Sequence, residues 1–392
     1  MKSVLEAKQI IMSSLPGEST AQLELLEAFC FTLAEDVIAS ADIPNFAQSS
    51  MDGYAIRHED REKSLTIIGE MAAGTAVPMS IGLGEATRIF TGAPLPDGAD
   101  TVVMQERVDL KEGKLYVQDT ALAPGQNVRV KGAEVRQGEI AMAEGTYLSA
   151  AAIGFLAGIG CTHVTVYAPP RVTIILTGNE LQEPGIPLEF GQVYEANSAQ
   201  LKAALQKLGI KDVEVLRAAD DAAELQSVLQ KALDTSAVVL LNGGVSVGDY
   251  DYVIQSAKAC GVEQKFHKIA QKPGKPLYFG TKNEKLVFGL PGNPSSSLTC
   301  FYEYVLPALE KLMHLQASVI TRSAAVTHDY PKPAGLTHFL KAYFIDGKVT
   351  PLHAQESFRL HSFAQANCFI VLPEDSTGCR AGDIVEVDLL PL

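Results

Sequence analysis

Residues 237–251 read AVVLLNGGVSVGDYD, an apolar run that ends in a glycine-rich loop. Two similar loops follow: KPGKP at 272–276, before the apolar run 277–279, and PGNPSSS at 291–297, after the apolar run 287–290. A buried strand that ends in glycine, followed by hydroxyl side chains and a helix start, presents backbone N–H groups to an anion. Because two lysines and two aspartates accompany the three loops, they predict a site for a phosphorylated ligand and a metal.

Strands and helices alternate through residues 171–315. The apolar runs Val172–Leu176 and Val213–Leu216 predict strands, and the apolar spacing within Ser198–Leu208 predicts a helix. Asp221 with a glutamate three residues later resembles a capping box, and Asn293 before a proline predicts the cap of another helix. This alternation predicts a parallel sheet with ligands at the carboxyl ends of its strands.

The regions on either side of 171–315 have different sequence patterns. Short β-like runs between turns predict a small all-β domain over 45–137, and the chain from 319 to 392 returns to a compact β module. Residues 1–44 with 138–168 are interpreted as a helical, linking domain, with residues 1–30 helical except for a break at Pro16-Gly17, and 169–318 as the α/β domain. The predicted fold class is therefore α/β plus β, in a multidomain chain.

Composition limits the class of protein. The chain has 392 residues, 47% hydrophobic and 20% charged, which is typical of folded multidomain proteins. A formal charge of −14 argues against nucleic acid as a partner, and the longest apolar stretch, Ala150–Cys161, is too short to span a membrane. The start of the chain has no signal-peptide pattern, and six cysteines without a C-x-x-C pair favour reduced thiols in the cytoplasm.

Charged residues in and near the loops are candidates for chemistry. Asp220 and Asp251 could together ligate Mg²⁺, which favours one or two carboxylates plus phosphate and water, although an aspartate such as Asp220 equally serves as a helix cap. Glu180 follows the strand 172–176 at its carboxyl end, where function is favoured over a plain surface role. Lys272 and Lys275 bracket a stiff Pro-Gly pair and could converge on phosphate, or could be solvated surface lysines.

The loops themselves are the candidate ligand-binding elements. Their glycines would let the backbone approach a ligand, and the alternative is a tight strand-to-helix turn. The predicted binding residues are Gly243, Gly244, Ser246, Gly248, Pro291, Gly292, Asn293, Pro294 and Ser295. Asp52, an acid beside glycine in the β domain, is more simply interpreted from its surroundings as part of a turn.

An ordered set of motifs resembles the molybdopterin molybdenumtransferase family, which includes bacterial MoeA and the E domain of gephyrin. The motifs cover nearly the whole chain: PNF at 44–46, SSMDGYA at 49–55, TGAPLPDGAD at 91–100, NVR at 127–129, TGNEL at 177–181, the loops 243–251, 272–276 and 290–295, and Gln355, Ser357, Arg359, Ser362, Ala366 and Asn367.

The resemblance implies four domains, with a molybdopterin-binding-like α/β domain and a barrel-like C-terminal domain, in an elongated homodimer whose active cleft forms between subunits. It implies ligation of molybdate to adenylylated molybdopterin with Mg²⁺-dependent release of AMP, and the adenylyltransferase and cofactor-accepting enzymes as candidate partners. The residues similar to the family's functional set are Asp52, Thr91, Glu134, Glu180, Asp220 and Asp251. Glu134 stands where many relatives carry aspartate, and Val130 and Leu336 replace common arginines.

Three alternatives stay open at this point. The related molybdopterin adenylyltransferase is similar to 171–315 alone, and the additional β domains argue against it. A peptide-binding scaffold of the same fold would not need to retain Glu180, Asp220 and Asp251 together. Specialisation for tungstate is not distinguishable by sequence, because the two oxyanions are nearly isosteric.

Overall fold

A computed structural model describes residues 1–244 and 252–391 of the chain. The chain divides into two compact units. One comprises Met1–Gln22, Cys30–Thr32 and Thr165–Leu392, and the other comprises Leu23–Phe29 and Leu33–Val164. The finer division into four domains stays a prediction.

The α/β part of the first unit is built on a six-stranded sheet. In order across the sheet, the strands are Val213–Ala218, Val172–Thr177, Val238–Asn242, Lys285–Leu290, Tyr278–Lys282 and Glu263–Phe266. The first four are parallel, as predicted. Tyr278–Lys282 pairs antiparallel with Lys285–Leu290, and Glu263–Phe266 pairs antiparallel with Tyr278–Lys282. Every residue of Val172–Thr177 and Val238–Asn242 is buried, because helices cover both faces of such a sheet and leave continuous apolar runs.

The helices of this domain follow from apolar spacing and caps. They are Asn197–Lys207, Ala222–Thr235, Tyr252–Ala259, and Pro294–Cys300, which continues through the π-helical turn Phe301–Val305 into Leu306–Leu312. In Ala222–Thr235 the residues Leu225, Leu229 and Ala232 share a face and are buried, as predicted. Asp221 caps that helix by accepting from the backbone N–H groups of Ala223 and Glu224, each at 2.9 Å.

The C-terminal module is a closed barrel, as predicted. Its five strands are Ile320–Val326, Thr337–Ile345, Lys348–Pro351, Cys368–Leu372 and Ile384–Leu389, and the ring closes through pairing of Thr337–Ile345 with Cys368–Leu372. The short strand Gln271–Lys272 adds to the barrel in parallel beside Thr337–Ile345. The remaining elements here are the strand pair Tyr330–Pro331 with Gly378–Cys379, and the helical turn Leu360–Phe363.

The second unit is mostly β, as predicted for residues 45–137. Its main sheet has the order Thr101–Met104, Gly53–Ile56, Glu85–Ile89, Leu65–Met71, Lys114–Val117 and Val108–Lys111. Shorter pairs join Val37–Ile38 to Ile140–Met142 and Gln48–Ser49 to Val128–Arg129. The remaining elements are the 3₁₀ turns His58–Asp60 and Gln105–Arg107 and the helix Ala150–Gly158, which begins after the capping residue Ser149.

The start of the chain corrects one prediction. Val4–Ser13 is helical and carries a complete capping box between Ser3 and Glu6. Thr20–Glu24 is a strand and residues 25–30 form turns, where a helix was predicted. Exposure alternates along Thr20–Glu24 with a period of two residues, so its leucine belongs to a strand pattern. The other strands are His163–Tyr167, Leu181–Gln182 and Val193–Tyr194.

None of the helices in the described parts of the chain is long and apolar enough to cross a membrane.

Candidate active site

The candidate site lies where neighbouring parallel strands end. Leu176, Asn242 and Leu290 are aligned in register across three strands, so the loops that follow them emerge side by side. The described residues of these loops line part of a cleft of about 820 Å³. Its lining comprises Thr177, Gly178, Glu180, Leu181, Val193, Tyr194, Ala196, Asn197, Asp220, Asn242, Gly243, Gly244, Tyr252, Gly292, Asn293, Pro294 and Phe358.

Two of the predicted glycines are required by close backbone approach. Gly243 has φ +87°, and a Cβ placed on it would lie 2.5 Å from the carbonyl oxygen of Thr177. Gly244 has φ +63°, and its Cβ would lie 2.9 Å from Thr177 Oγ1. Both combine a positive φ with insufficient room for a side chain, so any other residue at these two positions would be strained.

A buried amide network ties the loops together. Asn242 Nδ2 donates to Ser297 Oγ at 2.7 Å and to the Pro291 carbonyl at 3.3 Å. Asn197 Nδ2 donates to Asn242 Oδ1 at 2.6 Å and to the Gly292 carbonyl at 2.7 Å. Both asparagines are buried, and satisfied buried polar networks hold their members in a single arrangement. The network therefore ties the end of the strand Val238–Asn242 to the loop 291–292 and to the helices Asn197–Lys207 and Pro294–Cys300.

Two of the predicted carboxylates line the cleft. Asp220 Oδ2 accepts a hydrogen bond from the Asn179 backbone N–H at 3.3 Å, and Asp220 and Glu180 are both exposed. The capping role considered for Asp220 is filled by Asp221, which holds the helix N-terminus. Asp220 is therefore available to the cleft.

Other predicted residues fall outside the described residues. Ser246 and Gly248, expected to bind the ligand, and Asp251, expected to share a metal with Asp220, all lie in 245–251. Within residues 1–244 and 252–391, His, Cys, Asp and Glu side chains form no group of three that could hold a metal ion.

The loop 291–295 contacts the C-terminal module. Ser295 N donates to the Ser357 carbonyl at 3.1 Å, and Asn293 Nδ2 donates to Ser357 Oγ at 2.8 Å. Asn293 occupies the N-cap position of the following helix, as predicted, but the prediction that its side chain caps the helix is wrong. Within the described structure this side chain makes no capping hydrogen bond and binds Ser357 instead. Pro294 does begin the helix, as predicted.

Lys272 ends the short strand Gln271–Lys272, Lys275 lies in the loop that follows it, and both are exposed. They are not among the described residues that line the cleft. Gly274 between them has φ +84° and lies against Cys300, so the loop packs on the same helix that follows 291–295. Their predicted role toward phosphate stays a prediction.

Asp52, Thr91 and Glu134 belong to the other compact unit. Asp52 Oδ1 accepts from Thr91 N at 2.8 Å and from Thr91 Oγ1 at 2.7 Å, so the structure brings these two together. Hydrogen bonds from the Thr91 backbone and then its hydroxyl lower the pKa of Asp52, which favours its charged form. Glu134 is exposed, and its backbone N–H donates to the Ile43 carbonyl at 2.8 Å.

Sequence reasoning missed several residues of the cleft. Asn197, Tyr194 and Phe358 line it, yet none belongs to a glycine-rich loop. Asn197 opens a helix, where an asparagine is ordinarily interpreted as a cap, so its local signal points elsewhere. Ser357 stood within the motif set, but nothing in its neighbours linked it to Asn293.

Comparison with known proteins covers the whole chain. Family models match at residues 2–160 (MoeA N-terminal region, domain I and II), 173–311 (probable molybdopterin binding domain) and 323–390 (MoeA C-terminal region, domain IV). The chain is 33% identical to a molybdopterin molybdenumtransferase of Haemophilus influenzae, over 99% of this chain and 98% of that protein. It is 34% identical to one of Staphylococcus epidermidis, over 99% and 95%.

A solved structure of the same family has a similar fold. The molybdopterin biosynthesis MoeA protein from Pyrococcus horikosii superposes with a TM-score of 0.83 at 31% identity, covering 99% of this chain and 98% of that one. The chain therefore belongs to the molybdopterin molybdenumtransferase (MoeA) family and is an enzyme of that family.

Proposed function

We propose that this enzyme inserts molybdenum into adenylylated molybdopterin, with Mg²⁺-dependent release of AMP. Membership of the family supports the coarser part, insertion of molybdenum into molybdopterin. The finer part depends on one observation: two exposed carboxylates, Glu180 and Asp220, line the same cleft as the glycine loops Gly243-Gly244 and Gly292.

The loops suit a phosphorylated ligand. Gly243 and Gly244 are held in conformations that only glycine adopts easily, which leaves the backbone beside the cleft uncovered by side chains. Backbone N–H groups in such loops stabilise phosphoryl oxygens without adding net charge. Such neutral donors are useful in a chain of formal charge −14, where acidic side chains outnumber basic ones.

The carboxylates suit magnesium. Mg²⁺ takes oxygen ligands and is commonly held by one or two carboxylates together with substrate phosphates and water. Asp220 would hold it, with Glu180 in the same cleft and Asp251 as the predicted second ligand. When bound, the ion would neutralise charge on the phosphoryl oxygens, where hydrolysis of a phosphoanhydride needs stabilisation more than it needs a nucleophilic side chain.

The other predicted parts belong to the same proposal. We expect a homodimer whose active cleft takes residues from both subunits, with roles for Asp52, Thr91 and Glu134, and with Lys272 and Lys275 attracting the anionic substrates. A cytoplasmic location, contact with the adenylyltransferase and with cofactor-accepting enzymes, and molybdate as the oxyanion complete it.

The test is AMP release from adenylylated molybdopterin in the presence of Mg²⁺ and molybdate, with tungstate in a parallel series. In Asp220→Asn we expect release to fall by roughly 100-fold or more, because a metal supplies several kcal/mol of charge stabilisation and about 1.4 kcal/mol corresponds to a factor of ten. Asp220 follows the carboxyl end of the strand Val213–Ala218, whereas Asp212 precedes the amino end of the same strand. Asp212→Asn is therefore the matched control and should release AMP normally.

Unchanged release by Asp220→Asn would refute the metal role of this residue. Adenylylation of molybdopterin from ATP by the purified chain would instead favour the adenylyltransferase. Peptide binding without AMP release would favour a scaffold.

A further inference from the structure

Lys341 is a buried lysine in the barrel. It is 2% exposed and lies in the strand Thr337–Ile345, between the core residues Leu340 and Ala342. Burying an ammonium group is unfavourable unless its donors are satisfied. An apolar side chain would be the ordinary choice at such a position, so the lysine calls for a specific explanation.

Its ammonium group donates hydrogen bonds to three backbone carbonyls of one segment. Lys341 Nζ donates to the carbonyl oxygens of Ala354 at 2.9 Å, Glu356 at 3.4 Å and Arg359 at 3.0 Å. An ammonium has three N–H donors, and these three acceptors match them. Segment 354–359 is therefore folded around the charged end of Lys341.

The backbone of Lys341 holds the same segment. Gln355 Oε1 accepts from Lys341 N at 3.0 Å, and Gln355 Nε2 donates to Lys341 O at 2.8 Å. Ser362 Oγ adds a bond to the Ala354 carbonyl at 2.8 Å. The segment is thus fixed to the barrel mainly by polar bonds with Lys341, and Ser362 adds one more.

The segment carries two residues to the cleft. Ser357 binds Asn293 and Ser295 of the glycine loop through its hydroxyl and its carbonyl. Phe358 lines the cleft and is 61% exposed. Lys341 does not line the cleft, so any influence on a ligand passes through the segment.

We infer that Lys341 is a positioning residue for substrate binding: its buried ammonium shapes segment 354–359 so that Ser357 braces the loop 291–295 and Phe358 forms one wall of the cleft. This inference rests on the proposed function only in naming the ligand as adenylylated molybdopterin. Loss of the ammonium should loosen the segment while the barrel stays folded.

The chain contains no tryptophan, so Phe358→Trp places a single fluorescent reporter in the segment. In that full-length background, Lys341→Met should raise the acrylamide quenching constant of the introduced tryptophan at least about two-fold, because segment 354–359 becomes more mobile and the tryptophan more accessible. Lys341→Arg should restore much of the original value, because a guanidinium keeps the charge and the donors. Lys348→Met, which removes an exposed lysine of the same barrel, is the matched control and should leave quenching unchanged.

A second measurement needs no change at Lys341. Burial, opposed by the nearby Glu356 and assisted by Arg359, lowers the pKa of Lys341 to about 8. Above that pH the neutral amine keeps two N–H donors for three carbonyls, so quenching in the Phe358→Trp chain should rise through about pH 8. The Lys341→Arg chain should show no such step.

Turnover provides the third measurement, made with Phe358 present. Lys341→Met should raise KM for adenylylated molybdopterin about ten-fold with kcat changed less than about two-fold, the pattern of lost uniform binding. Equal quenching in Lys341→Met and Lys348→Met would overturn the inference. If Lys341→Met does not fold, quenching that stays flat from about pH 6.5 to about pH 9.5 would overturn it, since the amine deprotonates near the middle of that range. The fluorescence needs no substrate, so absence of AMP release by the unsubstituted chain would count against the proposed function alone.

Discussion

Replacing Gly243 by alanine should destabilise the α/β domain and distort the floor of the cleft. The backbone at Gly243 has φ +87°, and for an L-residue this left-handed conformation costs about 1–2 kcal/mol. The new Cβ would lie 2.5 Å from the carbonyl oxygen of Thr177 and 2.8 Å from its Oγ1. Thr177 is 5% exposed at the end of a central strand and cannot move away freely, so overpacking adds about 1–3 kcal/mol.

We therefore expect Gly243→Ala to lower the free energy of unfolding by about 2–5 kcal/mol. Urea unfolding followed by circular dichroism measures this, with AMP release as a second readout. Gly292→Ala is the control from the adjacent loop, because its Cβ would lie 3.6 Å from Gly243 Cα, an ordinary contact. That variant should differ from the parent by less than about 0.5 kcal/mol. Equal unfolding midpoints for the two alanine variants would show that the close approach to Thr177 is not a constraint on this loop.

Two further predictions concern buried titratable groups outside the cleft. Lys8 Nζ lies 2.7 Å from Glu303 Oε2, with the two side chains 37% and 1% exposed. Burial raises the pKa of Glu303 to about 7, although the charge of Lys8 opposes this shift. The contribution of protonated Glu303 to the free energy of unfolding is therefore lost as the pH rises from about 4.5 to about 7. At about pH 8 Glu303 is charged, and Lys8→Met would leave that buried charge without its partner. We expect the free energy of unfolding to fall by about 2–4 kcal/mol there, less than for breaking a fully buried pair because Lys8 is partly exposed, and by clearly less at about pH 5. Glu303→Gln should remove that difference, and an equal loss at both pH values would contradict the reasoning. Within the described structure neither ring nitrogen of the buried His338 has a hydrogen-bond partner, and burial, with Lys332 and Lys272, lowers its pKa from 6.5 to about 4. The contribution of neutral His338 to the free energy of unfolding is therefore present above pH 6.5 and is lost as the pH falls towards about 4. His338→Leu should make the urea unfolding midpoint depend less on pH in that range, and an unchanged pH dependence would contradict this prediction.

The elements that sequence predicted well are those with long, uniform local patterns. Val172–Thr177 and Val238–Asn242 are continuous apolar runs because both faces of the sheet are covered, and such runs bounded by glycine indicate buried strands. The helix after Asp221 was found by its cap and its apolar face together. Thr20–Glu24 was missed because a run of five residues with neighbouring leucines fits a period of 3.6 as well as a period of two.

Asn293 shows where local chemistry stops being sufficient. Asparagine before proline is typical of a helix start, and the helix does begin at Pro294. The asparagine amide nevertheless bonds to Ser357, 64 residues further along the chain. A cap and a long-range bond use the same donor and acceptor groups, so the choice between them depends on which partner the tertiary fold brings within reach.

The same argument applies to the cleft as a whole. The glycine loops could be found individually, because glycine and strand ends are local features, but their mutual bracing could not. Asn242 is bonded to Ser297, 55 residues away, and Asn197 is bonded to Gly292, 95 residues away. An asparagine at the end of a strand is equally typical of a turn, so only the register of three parallel strands makes Asn242 the centre of a network. A site assembled at strand ends is thus predictable as a set of loops, whereas the residues that fix the distances between the loops are determined by the sheet.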